Sequence, residues 1–171
     1  AIAGGITFDE IGGGVCQVSS TLFNAAAMAD MTIVTRSPHA WPSSYVDRGR
    51  DATVNWPNLD FAFRNDKMTP VFIVASYGNR QLTVEVYGMR ADPAERIELE
   101  TELISTTRPP ADAIYQRNPA LTPGEQKQLK PARTGYLVDT YRVYLRDGTA
   151  YKREKLTTSD YRMVQQVIEY N

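Results

Sequence analysis

Apolar and polar positions follow a helical period in one segment near the start of the chain and a strand period in most others. Over residues 16–30, apolar side chains recur three or four positions apart, and four alanines add strong helix propensity. The pattern predicts a single slim helix. Its apolar positions are Val18, Leu22, Ala25, Ala26 and Ala29.

Short segments rich in β-branched and aromatic residues, bounded by turn residues, predict strands along the rest of the chain. In the first half they are residues 31–35, 51–56, 59–63, 71–76 and 81–87. In the second half they are residues 97–103, 138–145, 150–156 and 164–170. Gly78-Asn79 and Asp147-Gly148 are typical of tight hairpin turns.

A polar stretch at residues 91–98 that contains Pro93 predicts a domain boundary. It separates a domain at residues 1–90 from a β module at residues 95–171. Residues 109–131 are rich in Pro, Gln and Lys and show no clear periodicity. We expect an α+β fold in which the N-terminal helix packs on an antiparallel sheet and is followed by a small all-β module.

Composition narrows the possible partners. The chain has 171 residues, a net charge of −1 and a pI of about 5.9, so it has no electrostatic footprint for nucleic acid. No stretch approaches the roughly 18 apolar residues of a membrane span. The chain opens on Ala1-Ile2 with neither Met nor a basic segment, and no signal peptide is visible. We therefore expect an N-terminally truncated fragment of a longer protein.

The only cysteine and the only histidine of the chain are the candidates for chemistry. Cys16 follows Gly12-Gly13-Gly14 and begins the predicted helix, whose N-terminus stabilises a thiolate. His39 lies in a proline-flanked loop and can act as the base for the thiol. The alternative is that Cys16 is a small buried apolar residue and His39 a structural loop residue.

A Cys–His pair needs a third group to fix the histidine tautomer and polar groups to bind substrate. Asp51, at the head of a predicted strand, is the best-placed carboxylate, ahead of Asp60 and Asp47. Backbone amides at the glycine turn, including that of Gln17, predict an oxyanion hole, and two arginines predict carboxylate recognition. The candidate substrate-binding residues are Gly14, Gln17, Ser19, Arg36, Trp41, Tyr45 and Arg50.

Residues 12–25, 36–39, 44–46, 49–54 and 60–65 resemble the VanW family in order and spacing, over about residues 3–88. One departure is Asp30-Met31, where the family usually has Gly-Leu. The family takes its name from a vancomycin-resistance cluster, and some members look like L,D-transpeptidases of peptidoglycan. The resemblance implies Cys16 as nucleophile, His39 as base and peptidoglycan stem peptides as substrates. It also implies an extracytoplasmic protein, bound to the cell wall or anchored in the membrane.

The second half resembles a G-five domain, a small β module of Gram-positive surface proteins. The resemblance rests on the long strand from Ile97, on Leu121-Thr122-Pro123-Gly124, on Gly135 and on Asp147-Gly148, although several of the defining glycines are absent. It implies binding of wall polysaccharide or a spacer role. We expect this module to contribute nothing to the thiol site.

Three functions remain open from the sequence. The first is a cysteine-dependent L,D-transpeptidase that needs neither metal nor cofactor, because one Cys with one His makes a dedicated zinc site improbable. The second is a non-catalytic wall-binding or scaffold module. The third is a Cys–His amidase or protease. The Cys–His spacing is also similar to that of transglutaminase-like and papain-like enzymes, which suggests their arrangement of helix and sheet.

Overall fold

The computed structural model describes residues 2–3, 6–7, 14–90 and 92–171. Two short antiparallel strands, β1 (Ile2–Ala3) and β2 (Ile6–Thr7), precede the helix α1 (Val15–Met28). The helix predicted over residues 16–30 is thereby confirmed. In the described part of the chain, α1 is the one helix, and its length and apolar character together fall short of what a membrane span needs.

The first half of the chain adds two antiparallel pairs of strands. Strand β3 (Thr32–Thr35) pairs with β4 (Ala62–Arg64), and β5 (Phe72–Gly78) pairs with β6 (Gln81–Tyr87). Asn79 and Arg80 form the two-residue turn between β5 and β6, both with positive φ, which confirms the predicted hairpin.

The second half contains two three-stranded sheets. In the first, β10 (Gly135–Arg146) lies between β7 (Glu95–Thr107) and β11 (Thr149–Tyr161), and all pairings are antiparallel. In the second, β12 (Val167–Tyr170) lies between β8 (Ile114–Arg117) and β9 (Gln126–Lys130). Strand β12 is parallel to β8 and antiparallel to β9.

The predicted α+β fold class is wrong. The described residues form one 14-residue helix and twelve strands, and the sheets contain two or three strands each. Helix α1 contacts β3, β6 and β7, which belong to three different sheets. The transglutaminase-like or papain-like arrangement, with the helix packed on one broad sheet, is therefore not what this chain adopts.

One predicted strand is absent, and two strands occur in a stretch for which the sequence predicted no element. Residues 51–56 are not a strand, apart from a single bridge between Asn55 and Leu59. Strands β8 and β9 lie in the stretch without periodicity, and most of their residues are exposed. A strand that buries neither face has no apolar alternation for a sequence pattern to reveal.

Both halves of the chain contribute to the core around α1. Phe23, Ala27 and Ala52 are fully buried, and Phe23 meets Phe61 edge to face with ring centroids 5.8 Å apart. The partly buried side chains packed against this cluster are Ile33, Phe61, Leu99 and Leu156. Because Leu99 and Leu156 belong to β7 and β11, the second half covers the helix directly.

An arginine from the second half binds the C-terminal end of the helix. The last turn of α1 carries no basic residue. Arg142 of β10, which is 6% exposed, supplies the cation there: its Nε donates to the carbonyl of Ala27 at 2.9 Å, and its Nη2 donates to the carbonyl of Met31. A positive charge is favourable at this end of a helix, and the two carbonyls gain donors that the helix does not provide.

Replacing this arginine tests how firmly the two halves are joined. Arg142→Ala removes charged hydrogen bonds to two buried carbonyls, so it should lower the free energy of unfolding by about 2–3 kcal/mol. Arg146→Ala is the matched control, because Arg146 lies on the same strand with its side chain 55% exposed. Urea unfolding of the full chain measures both; equal destabilisation by the two variants would contradict this role for Arg142.

Candidate active site

The side chain of Asp51 fixes the orientation of His39. Asp51 Oδ2 lies 2.6 Å from His39 Nδ1 and accepts a second hydrogen bond, at 2.7 Å, from the backbone N–H of His39. A carboxylate is an acceptor only, so Nδ1 carries the proton of the neutral ring. Nε2 is then left with a lone pair, which is the form required of a general base.

The other carboxylate oxygen of Asp51 is held by two further donors. Oδ1 accepts from the Tyr161 hydroxyl at 2.6 Å and from Arg36 Nη2 at 3.0 Å. Asp51 is 1% exposed, so solvent contributes little to its charge balance. Four hydrogen bonds from three residues therefore stabilise this carboxylate in place of water.

The hydrogen bonds decide the ionisation of Asp51. Burial alone raises the pKa of the Asp51 carboxyl, but the hydrogen bonds from His39 and Tyr161 and the charge of Arg36 outweigh it and bring the pKa below its ordinary value. Burial and the bond to Asp51 raise the pKa of Tyr161 to about 12. At neutral pH the pair is therefore a carboxylate and a neutral phenol, as the donor–acceptor geometry requires.

The segment that carries Asp51 runs extended along α1 and is held by helix side chains rather than by a strand. Asn24 Nδ2 donates to the carbonyl of Arg50 at 2.7 Å, and the N–H of Ala52 donates to Ser20 Oγ at 2.9 Å. Four residues of helix advance by about 6 Å and two residues of extended chain by about 6.6 Å, so the two repeats stay in step.

The contacts between helix side chains and the extended segment form a regular ladder, and Cys16 occupies its next position. Its Sγ donates to the carbonyl of Val54 at 3.5 Å, four helix residues and two extended residues beyond the Ser20 contact. The side chain is half-buried in the first turn of α1, and the thiol is free of any disulfide. Side chains alternate along an extended chain. Asp51 therefore points away from the helix, while the backbone of the residues before and after Asp51 bonds to helix side chains.

Tyr45 stands at the open side of the imidazole. Its hydroxyl lies 3.3 Å from His39 Nε2, and the two rings meet nearly perpendicularly. Burial of part of the ring, together with the nearby Cys16 and Asp51, raises the pKa of Tyr45 above its ordinary value. The phenol therefore stays protonated, and its hydroxyl can donate to Nε2.

One backbone amide predicted to form the oxyanion hole is already used within the helix. The Gln17 N–H donates to the carbonyl of Gly14 at 3.1 Å, so it is already engaged inside the helix. The amides of Val15 and Cys16 precede it and are the ones an incoming oxyanion would meet. Gly14 is exposed, with open space where a Cβ would lie. Gly12 and Gly13 lie outside the described residues.

A groove of about 320 Å³ lies beside Tyr45. One wall is the polar face of α1, and the other is the β5–β6 turn with Arg80. The lining residues are Gln17, Ser20, Thr21, Asn24, Tyr45, Val46, Arg80, Gln81 and Leu82. Among the residues predicted to bind substrate, Gln17 and Tyr45 are the two that face this groove.

The two arginines predicted to recognise a carboxylate are engaged within the protein. The Arg36 side chain is 1% exposed, and besides Asp51 Oδ1 it donates to the Asp51 carbonyl at 2.6 Å and to Ser159 Oγ at 2.7 Å. Arg50 Nε donates to Asn24 Oδ1 at 2.7 Å. The Arg36 guanidinium is therefore taken up within the protein, while the Arg50 side chain is 28% exposed and lies outside the groove.

Ser19 and Trp41 also lie apart from the groove. The Ser19 hydroxyl donates to the carbonyl of Ala52 at 2.6 Å and is buried. The Trp41 ring stacks under the Arg133 guanidinium, 4.8 Å from its centroid, and so contacts the second half of the chain.

Of the three carboxylates considered, Asp51 alone meets His39 in the described part of the chain. The side chain of Asp47 is 82% exposed, and Asp60 Oδ1 accepts from the N–H of Phe61.

Sequence reasoning missed Tyr161, Ser159 and Arg80. The expectation that the second module contributes nothing to the site is wrong, because Tyr161 donates directly to Asp51. Tyr161 is one tyrosine among ten, and its distance of 110 residues from Asp51 leaves no local pattern. Arg80 had a usable signal, since it lies in the turn of a hairpin that the sequence did predict.

Comparisons with known proteins match a different family model to each half of the chain. A family model described as VanW like protein matches residues 1–87, and a G5 domain model matches residues 100–171. An uncharacterized protein of Bacillus subtilis (strain 168), YoaR, is 44% identical over 79 residues. The match covers 46% of this chain and 26% of the relative, so the chain spans about a quarter of that protein's length.

Two solved G5 structures are also similar, each over 44% of this chain. One, titled IgA1 Protease G5 domain structure, is 21% identical over 89% of its own length with a TM-score of 0.28. The other, titled HP0197-G5, is 13% identical over 99% of its length with a TM-score of 0.22. With scores this low, the domain assignment depends on the family model.

The two family models together cover nearly the whole chain and bear out both resemblances seen in the sequence. A VanW-like domain followed by a G5 domain indicates an extracytoplasmic protein associated with the cell wall. The first model matches 87 of the 171 residues. This chain therefore belongs to the VanW-like protein family, with a G5 domain after its VanW-like part.

Proposed function

We propose that the VanW-like part is a cysteine acyltransferase that acts on peptidoglycan stem peptides as an L,D-transpeptidase. The observation that carries the proposal is the hydrogen bond of 2.6 Å between His39 Nδ1 and Asp51, which leaves Nε2 unprotonated and able to accept a proton. Domain membership supports association with the wall; the proposal of chemistry depends on this geometry and on Cys16 at the helix N-terminus.

In the proposed reaction, His39 Nε2 takes the Cys16 thiol proton and Sγ attacks the carbonyl carbon of an L-centre. A thioester forms, the peptide C–N bond breaks, and the terminal D-residue leaves as an amine with the proton from His39. The amine of a second stem then attacks the thioester, gives a proton to His39 and restores the thiol. The amides of Val15 and Cys16 stabilise the oxyanion.

For this reaction, Sγ must leave the carbonyl of Val54 and turn toward the imidazole, which requires a rotation of the Cys16 side chain. The Tyr45 hydroxyl must yield its position at Nε2 or pass the proton on. Catalytic hydrogen bonds commonly form only when substrate binds, so the substrate-free contacts are compatible with this change.

The groove beside Tyr45 is the proposed site for the donor stem. Arg80 takes the role of carboxylate reader that the sequence suggested for Arg36 or Arg50, because Arg80 is exposed at the groove wall and those two are engaged internally. A guanidinium recognises a carboxylate with two parallel hydrogen bonds.

A second candidate function is a non-catalytic wall-binding module. It is favoured by the direction of the Cys16 thiol, which donates to Val54 and not to His39. In that case the ladder of Cys16, Ser20 and Asn24 only docks the Asp51 segment. A third candidate, an amidase or protease, differs from the first in using water as the acyl acceptor.

Substitution of the two central residues separates these functions. With a tetrapeptide muropeptide as donor, Cys16→Ala should abolish both the acyl-enzyme seen by intact-mass spectrometry and product formation. His39→Ala should slow acyl transfer by about 10²–10⁴-fold, because it removes the base. Cys16 is the only cysteine, so any thioester mass identifies its site.

The same measurements decide among the three candidates. Transfer to a second stem supports the transpeptidase, whereas release of the free acid alone supports the amidase. If the wild type forms no acyl-enzyme with the tetrapeptide or with a carbapenem, and Cys16→Ala still binds sacculi normally, the protein is a wall-binding module.

Arg80 provides a separate test of the groove. Arg80→Gln should raise KM for a donor with a free terminal carboxylate about 10–100-fold and leave kcat nearly unchanged, because it removes one charged hydrogen-bonding partner. Arg90→Gln is the control, since Arg90 is also exposed but lies outside the groove. A KM that is equal in the two variants would exclude Arg80 as the carboxylate reader.

The G5 domain is the proposed contact with wall polysaccharide. Tyr115 of β8 and Tyr170 of β12 are exposed on neighbouring strands with their ring centroids 6.4 Å apart. Such a pair presents apolar faces together with hydroxyl groups, a combination suited to stacking on sugar rings.

Retention on purified sacculi tests this surface. Tyr115→Ala should weaken retention about 2–10-fold through the loss of one stacking contact. Tyr151→Ala is the control, since Tyr151 is also exposed but lies on β11 of the other sheet. Equal retention of the two variants would place the sugar contact elsewhere.

A further inference from the structure

We propose that the G5 domain is part of the active site and that Tyr161 is its positioning residue, holding the Asp51 carboxylate in the orientation that His39 requires. The inference rests on the proposed function, because it assigns Tyr161 a role in that reaction. It differs from a wall-binding or spacer role for the second domain, which would leave the chemistry independent of it.

The Tyr161 hydroxyl lies at the centre of the contact between the two domains. It donates to Asp51 Oδ1 at 2.6 Å and accepts from the N–H of Gly49, also at 2.6 Å. Tyr161 ends strand β11 and is 1% exposed. A buried phenol with both a donor and an acceptor partner has one favourable orientation, so it fixes the carboxylate position.

The loop before Asp51 is shaped to receive the second domain. Gly49 has a φ of +87°, and a Cβ there would lie 2.6 Å from Thr140 Oγ1. The Thr140 hydroxyl donates to the Gly49 carbonyl at 2.8 Å. Strands β10 and β11 thus bind both the N–H and the C=O of one glycine, two residues before Asp51.

The second donor to Asp51 Oδ1 is also anchored by the second domain. Arg36 Nη1 donates to Ser159 Oγ at 2.7 Å while Nη2 donates to Asp51. Ser159 is fully buried and lies two residues before Tyr161 on β11. Both groups that hold Oδ1 therefore depend on one strand of the G5 domain, whereas Oδ2 is left to His39.

A merely structural role for Tyr161 makes a different prediction, and the chain offers a matched comparison. Tyr144 of β10 is also buried, and its hydroxyl lies 2.9 Å from Asp30 in the first half of the chain. Tyr144→Phe and Tyr161→Phe each remove one buried hydroxyl that meets a carboxylate across the two halves. Only the second carboxylate, Asp51, touches His39.

The first readout needs no substrate. Because His39 is the only histidine, the proton on its Nδ1 gives a single downfield NMR resonance when it is bonded to Asp51. Tyr161→Phe should shift this resonance or broaden it beyond detection, and Tyr144→Phe should leave it unchanged. The titratable groups in contact with the His39 ring are Asp51 and Tyr45, and Cys16 lies near Tyr45, so spectra are compared at one pH.

The second readout is acyl transfer from the tetrapeptide muropeptide by the full chain. Tyr161→Phe should lower kcat about tenfold or more with little change in KM, because a misplaced base slows the chemical step and leaves the groove intact. Tyr144→Phe should retain the wild-type kcat. If Tyr161→Phe does not fold, Ser159→Ala provides the same test through the anchor of Arg36.

The outcomes separate the two proposals. A wild type that transfers no acyl group, but whose His39 resonance changes in Tyr161→Phe and not in Tyr144→Phe, contradicts the proposed function and leaves the positioning role of Tyr161 intact. A resonance and a kcat unchanged in both Tyr161→Phe and Ser159→Ala would overturn the positioning role. So would equal losses in Tyr161→Phe and Tyr144→Phe, which would make Tyr161 a docking residue only.

Discussion

The buried carboxylate of Asp51 is the interaction on which the candidate site depends. It accepts four hydrogen bonds, two from His39 and one each from Arg36 and Tyr161, and it is almost wholly removed from solvent. An ionised carboxylate tolerates such burial only when its oxygens are fully paired. The surrounding chain is accordingly organised to bring donors from distant segments to one point.

Two features of the fold bring those segments together. A regular ladder docks residues 50–54 on α1, because every fourth helix residue meets every second residue of the extended segment. Strands β10 and β11 then close over the loop at Gly49 and the C-terminal end of α1. The two domains meet through buried, specific contacts, which is more than a flexible tether to the wall would need.

Sequence reasoning reached the local features and the pairing of His39 with Asp51. The helix, the hairpin at Asn79 and the choice of Asp51 as the partner of His39 follow from residue type and short-range pattern, and the structure agrees with them. It could not reach Tyr161, since a contact across 110 residues has no local signature. It also assigned Arg36 to a substrate, because a sequence does not show that a guanidinium is buried against an internal carboxylate.

Asp51 fixes His39 with the proton on Nδ1 and leaves Nε2 unprotonated, as a base requires. Nitrogen-15 NMR of the full chain, labelled at its one histidine, reports this tautomer directly, because the protonated and unprotonated ring nitrogens have well-separated shifts. We expect the neutral ring to carry its proton on Nδ1 and to have an unprotonated Nε2. A ring protonated on Nε2, or one that exchanges rapidly between the two forms, would contradict it.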